Sequence, residues 1–177
     1  MKTQTKTTGL VYVKDDIFEL SLNRVKSKNV GCTVIIPHVC NNSNAFGAGF
    51  AADIAEHFPI VKDNFHMLGK SPKLGTVQYI TAYKDNTYGH ELIFANMIAQ
   101  NGLKSFNNKR PLNYLALAYS MNHVNNFIRQ RSTNDTTMKH EIRCPKFGSG
   151  LAGGNWNFIQ ELINDCWNTF PVFVHIQ

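Results

Sequence analysis

Residues 32–58 read CTVIIPHVCNNSNAFGAGFAADIAEHF, and they decide the fold. The stretch 32–40 is almost continuously apolar, the pattern of a strand buried on both faces. Residues 41–45 are a polar loop. From Gly49 the period changes: Phe50, Ile54 and Phe58 recur every four residues with Ala51 and Ala55 beside them, which gives a helix one apolar face. Pro59 reads as the stop. A helix start offers unpaired backbone N–H groups and the positive end of the helix dipole, so it attracts anions. Gly47 and Gly49 lie where a backbone must come close to such a group.

The same arrangement occurs once more. His140, Ile142 and Cys144 alternate with polar residues, as in a strand, and FGSGLAGG at 147–154 follows. A helix is expected over 156–167 and a last strand over 172–176. Two glycine-rich loops, each between a strand and a helix, point to a ligand with two phosphates held from both sides. Elsewhere, residues 10–13 read as a first strand ending at Asp15-Asp16. Residues 75–82 and 91–98 read as strands joined by a turn-rich segment. Residues 101–111 form a polar loop. A long helix follows with Tyr114, Leu117, Ala118, Met121 and Ile128 on one stripe, and residues 131–137 form another loop. Strands alternating with helices specify an α/β layered fold with a mostly parallel or mixed sheet.

The chain has 177 residues, 43% of them hydrophobic, with no repeat, linker or low-complexity segment, so residues 1–177 are expected to form one domain. No apolar run approaches membrane-spanning length, and the N-terminus has no apolar core of a signal peptide. A cytoplasmic location without membrane contact is therefore expected. Cys32, Cys40, Cys144 and Cys166 match no zinc spacing and suggest reduced thiols; neither a metal nor a cofactor is expected. The net charge of +6 suits nucleotides and nucleic acid. The basic residues are scattered, however, with 104–110 and Arg129/Arg131 the nearest to clusters. Nucleic acid is thus a possible but not a favoured partner. Gly47, Gly49 and Ala52 satisfy GxGxxA, the fingerprint of a dinucleotide fold. It would need an acidic residue at the end of a second strand, whereas Asp63 lies in a helix-like stretch.

The strings IIPHVCNNSNAFGAGFAADIAEHFP and IRCPKFGSGLAGGNW closely resemble the two ligand loops of the macrodomains. VYVKDDI resembles their first strand with its acidic end, and ANMIAQNG a central strand; together these span roughly residues 10–176. The branch resembled is that of the ADP-ribose-1''-phosphate phosphatases, in which a histidine takes the place of the first Asn of an Asn-x-x-Asn loop. Here that residue is His38, three positions before Asn41. The resemblance implies a three-layer α/β/α sandwich with a central mixed sheet, and ADP-ribose or a derivative as ligand. It implies that Asp16 accepts a hydrogen bond from the adenine amino group, supported by the backbone of Ile17. Gly47, Ala48, Gly49, Phe50 and Ala51 would hold one side of the pyrophosphate. Gly148, Ser149, Gly150, Leu151 and Ala152 would hold the other, and Asn41 would contact the distal ribose. Read without the resemblance, Asp16 is a helix cap or turn residue.

His38 is the candidate catalytic residue. Imidazole suits proton transfer near neutral pH, and His38 could activate water or attack phosphorus itself, with loop amides stabilising the added charge. Hydrolysis of ADP-ribose 1''-phosphate to ADP-ribose and phosphate is the expected activity. The alternatives are a binding module for ADP-ribose or a related signalling nucleotide, and removal of ADP-ribose from modified protein or nucleic acid. The macrodomains that remove ADP-ribose through a Lys and an Asp carry that Asp in the second loop, at a position close to Ala152 here, where no such carboxylate is present. No carboxylate partner for His38 is evident. Gly49 is expected in a ligand-facing loop outside the core, so that Gly49→Glu should block binding and spare the fold.

Overall fold

The computed structural model describes residues 10–27 and 31–176. The N-terminal residues 1–9, on which the absence of a signal peptide was read, lie outside the described residues. Element order is β1 (Val11–Val13), α1 (Ile17–Lys26), β2 (Cys32–Asn41), α2 (Phe50–His57), α3 (Pro59–His66), β3 (Val77–Asp85) and β4 (His90–Gln100). Then come α4 (Tyr114–Asn134), β5 (Lys139–Pro145), α5 (Trp156–Cys166) and β6 (Val172–His175). The strands form one sheet in the order β1-β6-β5-β2-β4-β3. Every neighbouring pair is parallel except β3 and β4, so the sheet is mixed.

The apolar run of β2 is buried on both faces because successive side chains point to opposite sides of a strand. Val34, Ile36 and Cys40 face a core with Ile17, Phe18, Val25, Ile54, Val61 and Phe65 of α1, α2 and α3. Ile35 faces the other way, into a core with Leu117, Met121, Val124 and Ile128 of α4 and Ile159 and Ile163 of α5. Strand β4 divides in the same manner: Leu92 and Phe94 go to the first core, Ala95 and Met97 to the second. Helices therefore cover both faces, giving the expected three-layer α/β/α sandwich. Among the described residues no helix is long and apolar enough to cross a membrane.

Three local readings change, and that of Asp63 holds. Pro59 does not end a helical region. It occupies the first turn of α3, where its fixed φ is pre-set for a helix and its missing N–H would have had no partner. The segment 131–137 is not all loop, since α4 continues to Asn134. Helix α1 was not anticipated. It is capped by Asp16, whose Oδ1 accepts from the Glu19 N–H at 2.7 Å. Asp63 lies on α3 and ends no strand, which removes the dinucleotide-fold reading.

Candidate functional site

The carboxyl ends of β5, β2 and β4 lie side by side, and the loops leaving them enclose a cleft of about 630 Å³. Its walls include Asn41 and residues 45–51 on one flank and residues 145–148 and 150–152 on the other. His38, Val39 and Cys40 also line it, as do Gln100, Leu103 and Lys104 beyond β4. The two glycine-rich loops thus face each other across one cavity. A Cβ built on Gly49 would lie 3.5 Å from Leu151 Cδ1, which measures how near the flanks come.

The first loop is held from beneath by Asn41, which is buried. Its Oδ1 accepts from the N–H groups of Ser43 (3.0 Å) and Ala45 (3.1 Å), and its Nδ2 donates to the Ala45 carbonyl (2.7 Å). Both ends of the amide are engaged in shaping the loop that leads to Gly47. Gly49 caps α2 with φ +56° and ψ −146°, a backbone conformation essentially confined to glycine. Substitution there strains the fold, so Gly49→Glu does not isolate ligand binding as expected. Gly47 and Gly150 behave differently: neither has a positive φ, and a Cβ at either meets nothing within 4 Å.

The second loop folds back on itself, with Gly154 N–H donating to Gly148 O (2.8 Å) and Gly153 N–H to Gly150 O (3.0 Å). Gly154 has no room for a side chain, because a Cβ would lie 2.6 Å from Gly148 O. Ser149 turns away from the cleft lining, its hydroxyl donating to Lys146 O at 2.7 Å. Ala152 is buried in the wall, and no carboxylate occurs in 147–154. Asp16 and Ile17 do not line the cleft. Asp16 is exposed at the head of α1, and the Ile17 side chain is buried beneath it.

His38 lies in the cleft lining and is buried, with its ring edge-on to Phe46 (5.7 Å) and Phe50 (5.9 Å). Burial lowers its pKa to about 4, against a smaller upward effect from the hydrogen bond to Asn96, so the ring is neutral at pH 7. Which nitrogen carries the proton follows from a chain of bonds that starts at a backbone carbonyl. Asn64 O can only accept, so Gln78 Nε2 donates to it (2.8 Å). Gln78 Oε1 then accepts from Asn96 Nδ2 (3.0 Å). That leaves Asn96 Oδ1 to accept from His38 Nε2 at 2.6 Å. The proton is on Nε2, and Nδ1 keeps the lone pair. Cys40 Sγ is 3.7 Å from Nδ1 and 3.8 Å from Nε2, a contact with the ring that favours neither nitrogen. The Cys40 thiol is raised well above its usual pKa by burial and remains protonated.

Sequence reasoning passed over Asn96 and Gln78, which set the tautomer of His38, and Gln100, Lys104 and Lys146 in the cleft wall. A signal for Asn96 existed: it is a lone polar residue inside the apolar run of β4. Lys146 is placed by aromatic rings, its Nζ 5.9 Å from that of Tyr12 and 6.0 Å from that of Trp156.

No family model matches the chain. Over 156 residues it is 25% identical to an uncharacterized 17.5 kDa protein of the tk-vs intergenic region of Enterobacteria phage T4, with 86% of each chain covered. A Bacteroides thetaiotaomicron protein of unknown function superposes with a TM-score of 0.73 at 22% identity, covering 96% of this chain and 99% of the other. A macrodomain protein of Streptomyces coelicolor superposes at 0.66 and 24% identity, with 96% and 99% covered. Thermosipho africanus DarTG in complex with ADP-ribose gives 0.60 at 14% identity, covering 96% of this chain and 53% of that one. The mixed six-stranded sheet between two helical layers, with paired loops over the carboxyl ends of its central strands, is the macrodomain fold.

Proposed function

We propose that this chain acts as a macrodomain and binds ADP-ribose, with the pyrophosphate between the two glycine-rich loops. The observation that carries the reading is the pairing of Gly47 and Gly49 with Gly148 and Gly150 across one cleft that contains no carboxylate. Unpaired N–H groups at the start of α2 supply anion contacts without a counter-ion. The ADP-ribose found in the DarTG complex supports the choice of ligand. Asn41, in the cleft wall, would contact the distal ribose, and Asp16, exposed at the head of α1, would accept from the adenine amino group. Isothermal titration with ADP-ribose, ADP and AMP tests this. ADP-ribose binding no tighter than AMP would remove the diphosphate from the recognition.

A second reading is favoured by His38: hydrolysis of ADP-ribose 1''-phosphate to ADP-ribose and phosphate. A neutral ring with its lone pair on Nδ1 is in the state required of a base toward water or a nucleophile toward phosphorus. Lys104, in the same cleft beyond β4, is a cation for the terminal phosphate. Phosphate release from ADP-ribose 1''-phosphate, compared between wild type and His38→Ala, tests it. Equal turnover would take His38 out of the reaction, and no turnover by wild type would leave a binding module. Cleavage of protein-linked ADP-ribose through a second-loop carboxylate has no residue to perform it, since 147–154 contain no Asp or Glu.

A further inference from the structure

With His38 neutral, the charged side chains of the cleft lining are Lys104 and Lys146. The sheet order separates them. Lys104 lies beyond β4 and Lys146 follows β5, with β2 between those strands, so the two cations approach the cleft from opposite sides. Lys146 leads directly into Phe147 and Gly148 of the second loop, whereas Lys104 belongs to neither glycine-rich loop. Neither is in an ion pair among the described residues.

What holds Lys146 is a pair of rings. Its Nζ is 5.9 Å from the centre of Tyr12 and 6.0 Å from that of Trp156. The rings themselves are fixed. Trp156 Nε1 can only donate, and it donates to the Tyr12 hydroxyl at 3.0 Å; that hydroxyl gives its own proton to Gln160 Oε1 at 2.6 Å. Phe147, buried, stands edge-on to Trp156 with centroids 6.1 Å apart. The ammonium is less firmly held than its seat, since about 6 Å is the outer limit of cation–π attraction and lysine has a flexible four-carbon stem. A carboxylate would have neutralised this lysine; two aromatic faces keep its charge free for an anion.

We propose that Lys146 is a mobile counter-ion for the diphosphate of the ligand, parked on Tyr12 and Trp156 in the free protein and drawn onto the phosphate oxygens when the ligand enters. This rests on the reading that the diphosphate lies between the two glycine-rich loops. Backbone N–H groups alone offer only partial charges, and a diphosphate brings two full ones; a charge-assisted bond from an ammonium is stronger than the ring contact it replaces. Lys146 therefore sets selectivity for the charged linkage of the ligand and not for its base or sugars. Departure of the cation changes the surroundings of Trp156. Trp167, the other tryptophan, is fully buried in the second core, so Trp156 carries the signal.

The test is titration of wild type, Lys146→Met and Lys146→Arg with ADP-ribose and with adenosine, which has no phosphate, followed by calorimetry and by Trp156 emission taken as the difference from Trp156→Phe. Lys146 is exposed, so both lysine variants should melt close to wild type. Lys146→Met should weaken ADP-ribose binding roughly fivefold or more and make it less sensitive to salt. Lys146→Arg, which keeps the charge, should stay within about twofold of wild type. Adenosine affinity should be the same in all three. ADP-ribose should change Trp156 emission in wild type and leave it unchanged in Lys146→Met, where no cation departs. Wild-type ADP-ribose affinity in Lys146→Met, or an emission change of equal size in that variant, would overturn the counter-ion role and leave the reading of the cleft intact. Wild-type protein that binds ADP-ribose no tighter than adenosine would overturn the reading of the cleft, and this role of Lys146 with it.

Discussion

Asn96 Oδ1 lies 2.6 Å from His38 Nε2, and its orientation is imposed from outside the cleft by Gln78. The bond holds a buried histidine in one neutral tautomer, which makes the state of His38 a measurable property of the fold. Nitrogen-15 spectra of labelled protein should show the proton on Nε2 between pH 5 and 8. An Nδ1–H tautomer would break the chain of bonds derived from Asn64.

The same histidine makes stability depend on acid. Its pKa is about 4 in the folded protein against 6.5 for a free side chain, so between those values the unfolded chain binds more protons. Stability should therefore be fully retained above about pH 6.5 and decline as the pH falls toward 4, by a total on the order of 3 kcal/mol. Asn96→Asp places a carboxylate against Nε2–H, raises the His38 pKa and should shrink this slope. Urea titrations of wild type and variant from pH 4 to 7 measure it; identical slopes would assign the acid sensitivity to other groups.

Gly47 and Gly150 permit a clean test of the cleft. Their conformations suit any residue and nothing opposes a Cβ, so Gly47→Glu and Gly150→Glu should melt close to wild type. A carboxylate between the loops should lower ADP-ribose affinity more than tenfold, a loss above about 1.4 kcal/mol. Gly49→Ala, forced to keep φ +56°, should instead lose about 1–3 kcal/mol of stability. Calorimetric melting beside titration separates the two effects.

Trp167 fixes α5 to the rest of the second core. It is fully buried, and its Nε1 donates to Met121 O of α4 at 2.9 Å. Trp167→Ala should cost about 3–5 kcal/mol through the cavity and the lost bond. For a chain of this size the melting temperature should drop by roughly 6–20 °C. A drop of only a degree or two would mean that neighbouring side chains collapse into the space.

The fold was legible wherever one physical signal dominated. The unbroken apolar run of β2 could only be a strand buried on both faces, and the glycine-rich loops announced themselves by composition and by what flanked them. Signals with two meanings were harder. Pro59 is equally a stop or a first-turn residue, and the sequence does not say which. Asp16 reads as a helix cap or turn residue and, through the resemblance, as a ligand contact; what went unread was the helix it caps, although the apolar residues Ile17, Phe18 and Val25 were there to mark it. The helical character of 131–134 was obscured by Ser132, Thr133 and Asn134, residues that favour loops locally but here continue a helix already begun.

The amide of Asn41 has a kinetic consequence. With both its ends engaged, the first loop already has its shape, so a ligand has no ordering cost to meet there and no closing motion to wait for. Entry should be a single-step encounter, quickened for anions by the surrounding cations and slowed by salt. Discrimination among nucleotides then falls to the rate at which each escapes. Stopped-flow traces should be single exponentials whose rates rise linearly with nucleotide concentration; a plateau would reveal an isomerisation of this loop.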